Sequence, residues 1–316
     1  MMLEVRVSCT RPVADDIRML EFVPTLGGTL PAFSAGAHID VYLPGGLVRQ
    51  YSLCNGPNDQ AAYRIGVLLE PNSRGGSKAV HALQEGARLQ IDAPRNLFEL
   101  DPQAGYSVLL AGGIGITPLL SMAAHLAAAG RPFEFHYFVR SRSRAAFLEQ
   151  LESPGMAPHF QLHADDEQLG FNCSAALKRT YADDTHVYVC GPVGFIDAML
   201  SSATAAGYEP RQLHREYFAP VDDGKMESQP FSLELARSGR TIVVGAAETT
   251  AKALARCGVN VPLSCEQGVC GTCLTKVLAG TPLHRDVFLS DAERERNDCF
   301  TPCCSRSRTP ILVVDL

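Results

Sequence analysis

At 316 residues, with 46% hydrophobic and 20% charged positions, the chain has material for two or three separate cores. A net charge of −6 and a pI near 5.9 argue against nucleic acid or an anionic membrane as the main partner. The longest apolar stretches are broken by glycine, proline or charge, so no membrane span is expected.

Met1-Met2-Leu3-Glu4-Val5-Arg6 alternates like a strand and lacks a secretory apolar core, which predicts a cytoplasmic protein. The first hundred residues read as short strands punctuated by glycine and proline: Leu3–Cys9, Ile17–Val23, His38–Leu43, Val48–Ser52, Ala62–Leu69 and Ala87–Ala93. Their regular spacing predicts a small antiparallel barrel. One helix is expected there, near Ser77–Leu83.

From Tyr106 strands alternate with helices: strand Ser107–Ala111, helix Pro118–Ala129 with Thr117 as N-cap, strand Phe133–Val139 and helix Ala145–Leu151. Strand Phe160–Ala164, helix Ser174–Arg179, strand His186–Cys190 and helix Gly194–Ala206 continue the pattern. Such alternation predicts a parallel sheet with ligands at the carboxyl ends of its strands. Val221–Gln229 is polar and unpatterned, and reads as a linker. A hairpin at 231–244 and a helix Thr250–Arg256 follow. The expected modules are therefore 1–102, 103–222 and 229–316.

Chemistry is written most plainly at the end of the chain. Cys265, Cys270 and Cys273 form C-x4-C-x2-C, the spacing of a plant-type [2Fe–2S] centre, with a fourth cysteine to follow. Cys299, Cys303 and Cys304 are all candidates for that fourth ligand. Cys303 is favoured because twenty-nine residues separate it from Cys273, as in plant-type ferredoxins. Cys304 is expected to face the other side of the chain. Zinc is the alternative, but zinc sites favour two short knuckles and this segment has one. Cys9, Cys54, Cys173, Cys190 and Cys257 are scattered and read as small buried hydrophobes.

A one-electron carrier cannot accept a hydride, so an upstream converter is required. Arg49-Gln50-Tyr51-Ser52 ends a strand and offers a guanidinium for phosphate, a ring for an isoalloxazine and a hydroxyl for a ring nitrogen. Arg74-Gly75-Gly76-Ser77 leads into a helix, which suits an anion, with Ser77 as N-cap as the plainer role. Gly112, Gly113, Gly115, Thr117 and Pro118 lie in a strand-to-helix turn; Pro118 departs from the dinucleotide fingerprint, and a tight turn alone explains two of the glycines. Cys190-Gly191-Pro192 ends another parallel strand. The run Arg140–Arg144 could receive a 2′-phosphate or simply begin a basic helix.

Taken in order, these motifs resemble the phthalate dioxygenase reductase family, to which vanillate demethylase reductase components belong. The resemblance spans essentially the whole chain. It implies an antiparallel β-barrel flavin domain, an α/β parallel-sheet nicotinamide domain and an α+β β-grasp ferredoxin domain. It also implies FMN, NADH as donor with NADPH as the alternative, a [2Fe–2S] cluster and a Rieske-type non-haem iron oxygenase as acceptor. Aromatic-ring dioxygenation or O-demethylation would be the reaction served, with a separate ferredoxin or a haem protein as the alternative acceptor. By matching positions, Arg49, Gln50, Tyr51, Ser52, Val67, Leu68, Arg74, Gly75, Gly76 and Ser77 would hold FMN. Thr117 and Phe218 would flank the ring, and Ser52 and Thr117 would tune hydride transfer. No general base is expected, and a monomer suffices.

Overall fold

The computed structural model describes residues 1–316 except 74, 168–172, 181 and 219–228, and of 174, 179 and 291 it describes the backbone alone. The chain divides into two compact units, Met1–Glu216 and Tyr217–Leu316. Arg74 and most of the expected linker, 221–228, lie outside the described residues.

The first unit opens with strands β1 (Met2–Ala14), β2 (Ile17–Pro24), β3 (His38–Leu43), β4 (Leu47–Ser52) and β5 (Tyr63–Leu68). Helix α1 (Gly76–His81) and strand β6 (Arg88–Asp92) follow. The antiparallel sheet runs β4-β3-β6-β1-β2-β5, and the Leu53↔Ile65 bridge joins its two ends into a barrel. Alternation fills its interior with Val5, Val7, Leu20, Phe22, Ile39, Val41, Ile65 and Ile91, each wholly buried. Ser77 does not cap α1. Gly75 holds the cap position in the left-handed region, φ 96°, and Ser77 Oγ accepts from the Glu70 N–H at 3.1 Å.

The parallel sheet is built from β7 (Tyr106–Gly112), α2 (Ile116–Ala128), β8 (Phe133–Val139), α3 (Leu148–Leu151), β9 (Phe160–Ala164), α4 (Cys173–Thr180), β10 (Thr185–Cys190), α5 (Val193–Ala206) and β11 (Leu213–Glu216). Its order is β11-β10-β7-β8-β9. Two helix boundaries differ from expectation. A 3-10 turn over Gly113–Gly115 runs straight into α2, so the helix begins at Ile116 and Thr117 lies inside it, donating to the Ile114 carbonyl at 3.2 Å. Phe147 sits at φ 62°, which cuts the expected helix Ala145–Leu151 down to α3. The barrel and the parallel sheet share one hydrophobic core: Ile17 and Met19 of β2 pack with Leu119 of α2, Phe135 of β8 and Phe147.

The second unit carries β12 (Phe231–Leu235), β13 (Arg240–Val244), α6 (Thr250–Arg256), β14 (Thr275–Ala279) and β15 (Pro282–Leu283). It ends with α7 (Asp291–Arg296), β16 (Cys299–Phe300), β17 (Arg306–Ser307) and β18 (Ile311–Val314). Its sheet runs β13-β12-β18-β14-β16, with β12 and β18 parallel and the other neighbours antiparallel. Ala253 and Leu254 of α6 close the core over Leu233, Val244, Leu312 and Val314. Among the described residues no helix is long and apolar enough to cross a membrane.

Candidate functional site

In the first unit the site forms where the carboxyl ends of β7 and β10 meet the end of β4. Gly115 must be glycine, because a Cβ there would collide with the Cys190 carbonyl where β10 ends. Gly112 and Gly191 face one another under the ring of Phe195, and a Cβ on Gly112 would come within 2.8 Å of that ring. Close packing thus explains Gly112 and Gly115 without a ligand. Gly113 is different: it adopts φ 53°, and a Cβ there would meet nothing within 4 Å, so its backbone faces open space. Pro192 is exposed and caps α5.

Thr117 is buried, and its methyl group lies against Gly66 of β5, next to the buried Val67 and half-buried Leu68. On β4, Arg49 lays its stem over Gly76, where a Cβ would stand 2.7 Å from Arg49 Cγ. Tyr51 shares that strand, and burial pushes its phenol up to about 12. Gln50 is committed elsewhere, donating to Asp40 Oδ1 at 2.9 Å. Phe218 belongs to the second unit and is 37% exposed.

Ser52 reaches across to a residue missed from sequence: its Oγ donates to Glu216 Oε2 at 3.3 Å. Glu216 ends β11 and pairs in register with Cys190 of β10. The residue as a whole is only half-buried, yet protein packs densely round its carboxylate. That desolvation pushes Glu216 up to about 8, against the opposing effect of the Ser52 hydrogen bond. Burial, then the Glu216 charge, raises the Cys190 thiol well above its ordinary value. No acid–base group was expected here. The available signal was positional, since Leu213-His-Arg-Glu follows α5 where a βαβ pattern is due another strand.

In the second unit the loop 265–273 gathers buried thiols. Cys265, Cys270, Cys273 and Cys303 are 6%, 8%, 3% and 5% exposed. They meet as pairs, Cys265 with Cys270, Cys273 with Cys303, and Cys265 with Cys303. Among the described residues no three His, Cys, Asp or Glu side chains are gathered around a single ion's position. Backbone amides turn toward the sulfurs: Gln267 N–H donates to Cys265 Sγ at 3.3 Å, and Thr272 N–H to Cys270 Sγ at 3.5 Å. Left-handed backbone at Glu266, Gly268 and Gly271 makes those amides available. Sulfurs shielded from water and met by N–H donors suit thiolate ligands of a cluster. The donor set therefore fits an iron–sulfur group.

Gly268 packs on Asp286 and Cys304, while the Phe288 ring covers Gly271. Asp286 is buried; burial alone would raise its carboxyl, but His284 standing 3.6 Å away, and hydrogen bonds from the Leu289 N–H and Ser305, hold it below the usual range. Cys304 does not turn away from the ligand set. Residues 301–305 form a turn, with Ser305 N–H donating to the Thr301 carbonyl at 2.9 Å, and neighbouring side chains in a turn diverge less than in a strand. The Cys304 thiol therefore meets that of Cys303. Cys299 lies on β16 opposite Lys276, pushed up to about 11 by burial and Asp298. Of the scattered cysteines, Cys54 and Cys190 are buried, but Cys9, Cys173 and Cys257 are partly exposed.

Residues 233–308 match the model of the 2Fe-2S iron-sulfur cluster binding domain. Over its full length the chain is 51% identical to a vanillate O-demethylase oxidoreductase of Pseudomonas sp. (strain HR199 / DSM 7063), covering 100% of both. The chain belongs to the phthalate dioxygenase reductase family. It is 34% identical to the solved phthalate dioxygenase reductase, with a TM-score of 0.79 over 100% of this chain and 98% of that one. It is 44% identical to the phenoxybenzoate dioxygenase subunit beta of Ectopseudomonas oleovorans, over 99% of this chain and 97% of that one. Family membership makes it a flavin iron–sulfur oxidoreductase with a nicotinamide donor, and FMN fits that family.

Proposed function

We propose that this chain is the cytoplasmic, monomeric reductase component of a two-component oxygenase, passing electrons from NADH through FMN and [2Fe–2S] to a Rieske-type oxygenase. The observation that carries this is one chain holding both a Ser52–Glu216–Cys190 cluster and four thiols gathered at an amide-lined loop. The full-length relatives named above belong to oxygenase systems, which supports an oxygenase as acceptor.

The modules 1–102, 103–222 and 229–316 would carry flavin, nicotinamide and cluster in that order. When bound, a flavin accepts a hydride and releases single electrons, and the cluster carries one electron at a time. Arg49 with Arg74, Gly75, Gly76 and Ser77 would hold the FMN phosphate, while Tyr51, Ser52, Val67, Leu68 and Thr117 would contact its ring. Gly112, Gly113, Gly115, Pro118, Cys190, Gly191 and Pro192 would receive the dinucleotide. Cys265, Cys270, Cys273 and Cys303 would ligate the cluster. Ser52 would place a hydroxyl toward the flavin ring, and Glu216, hydrogen-bonded to it, can hold or release a proton near neutral pH.

Purified holoprotein is expected to contain FMN, iron and sulfide, to bleach on adding NADH, and to support turnover by a Rieske oxygenase. A colourless protein containing zinc would sink the redox reading. Turnover only with a ferredoxin or haem protein would reassign the acceptor.

A further inference from the structure

Resting on the cluster proposed above for the second unit, one buried carboxylate bears on how readily that cluster takes an electron. Asp286 is not among the expected ligands, yet its side chain is 0% exposed. A carboxylate removed from water is costly unless donors meet its oxygens. Here both oxygens are met: Ser305 Oγ donates to Oδ1 at 3.1 Å, and the Leu289 N–H to Oδ2 at 2.9 Å. An amide could not replace it without turning its own NH2 toward one of those donors. The basic groups beside it are His284, with Nδ1 3.6 Å from Oδ1, and Arg294, whose guanidinium donates to the Asp286 carbonyl.

These bonds join two ligand-bearing segments. On one side, the Leu289 N–H closes a turn over 286–289, and the Val287 N–H within it donates to the Gly268 carbonyl at 3.0 Å. The same turn lays the Phe288 ring over Gly271. Gly268 and Gly271 belong to the loop that carries Cys265, Cys270 and Cys273. On the other side, Ser305 Oγ receives the Arg285 N–H at 3.1 Å while donating to Asp286. Ser305 in turn closes the turn that holds Cys303, with its hydroxyl 2.9 Å from that of Thr301. One carboxylate therefore keeps the cysteine loop and the Cys303 turn in register. A charge buried there acts through protein rather than water. Reducing a cluster adds one electron, which a fixed negative charge opposes.

We propose that Asp286 is a positioning residue of the cluster site, which holds the ligand segments together and whose charge keeps the cluster's reduction potential low. Loss of that charge should favour reduction roughly tenfold, or about 59 mV for one electron.

The test uses full-length holoprotein, with iron and acid-labile sulfide measured and the midpoint potential titrated by electron paramagnetic resonance. Asp286→Asn at full iron content should raise the potential by about 59 mV, whereas Asp286→Glu, which keeps the charge, should stay closer to the wild type. Ser305→Ala keeps the charge but removes one of its donors, so it should lower the potential by a smaller amount. That variant decides the matter if Asp286→Asn assembles no cluster. A potential unmoved in loaded Asp286→Asn, or unmoved or raised in Ser305→Ala, overturns the role of Asp286 alone. A purely structural turn would lose iron in all three variants, with no shift in the clusters that remain, and that result also overturns it. Wild-type protein without iron and sulfide overturns the electron-transfer proposal itself.

Discussion

The two units build their sites by opposite routes. In the second, three of the four expected ligands lie within nine consecutive residues, and the loop's own left-handed positions aim its amides at the sulfurs. In the first, Ser52, Cys190 and Glu216 come from distant parts of the chain and are brought together only because a barrel strand meets the carboxyl ends of a parallel sheet. A local site tolerates changes elsewhere in its fold and fails when one ligand is removed. An assembled site depends on the packing that brings its parts together.

The largest expected effect is on the local site. Cys303→Ser should eliminate the cluster's visible absorbance and its low-temperature electron paramagnetic resonance signal while NADH-to-dye reduction persists. Cys299→Ser should keep both cluster signals. An intact cluster in Cys303→Ser would move the fourth ligand to Cys304, whose thiol already meets Cys303.

Packing is tested next. Gly115→Ala forces a methyl group into the Cys190 carbonyl, and overpacking of this kind costs about 1–3 kcal/mol. Thermal unfolding should shift down by several degrees, and NADH should lose its effect on flavin absorbance. At Gly113 the space is open and only the left-handed backbone matters, so alanine there should cost about 1 kcal/mol. Equal losses at the two positions would contradict the close-approach account.

Ser52→Ala removes the hydroxyl that meets Glu216 and should slow flavin reduction by NADH roughly tenfold in stopped flow, with cluster content unchanged. A rate within twofold of the wild type would remove Ser52 from hydride transfer.

The smallest effect concerns pH. Glu216 is protonated below about 8 and ionised above it. A carboxylate appearing beside Ser52 opposes the arrival of a hydride, so flavin reduction should slow as pH rises through about 8. Because the folded value is raised, stability present below the ordinary 4.5 is also lost as pH rises toward about 8. Glu216→Gln should flatten both profiles; an unchanged pH–rate curve would show that this carboxyl does not titrate in the working enzyme.

Much of the fold was legible from pattern. Period-two alternation located His38–Leu43, and strand–helix alternation located Phe133–Val139 and Phe160–Ala164, as they stand in the structure; the first two each bury a regular face. The expected start of α2 missed because the 3-10 turn before it supplies helical backbone ahead of Thr117. Helix 145–151 failed because Phe147 takes a left-handed conformation while its ring packs against Gly66. β11 was invisible because Leu213-His-Arg-Glu has too few apolar positions to show alternation.

By itself, the sequence determined the cysteine loop, because ligand spacing within a short segment is a local property that survives without knowledge of the fold. It also determined the order of the modules, through the change from strand alternation to strand–helix alternation. Only the tertiary structure decided that Ser52 and Glu216 touch, that Cys304 meets the ligand set, and that Asp286 joins the cysteine loop to the turn bearing Cys303. Those outcomes depend on contacts between residues far apart in the chain, or on how a turn projects neighbouring side chains. Neither leaves a periodic trace along the sequence.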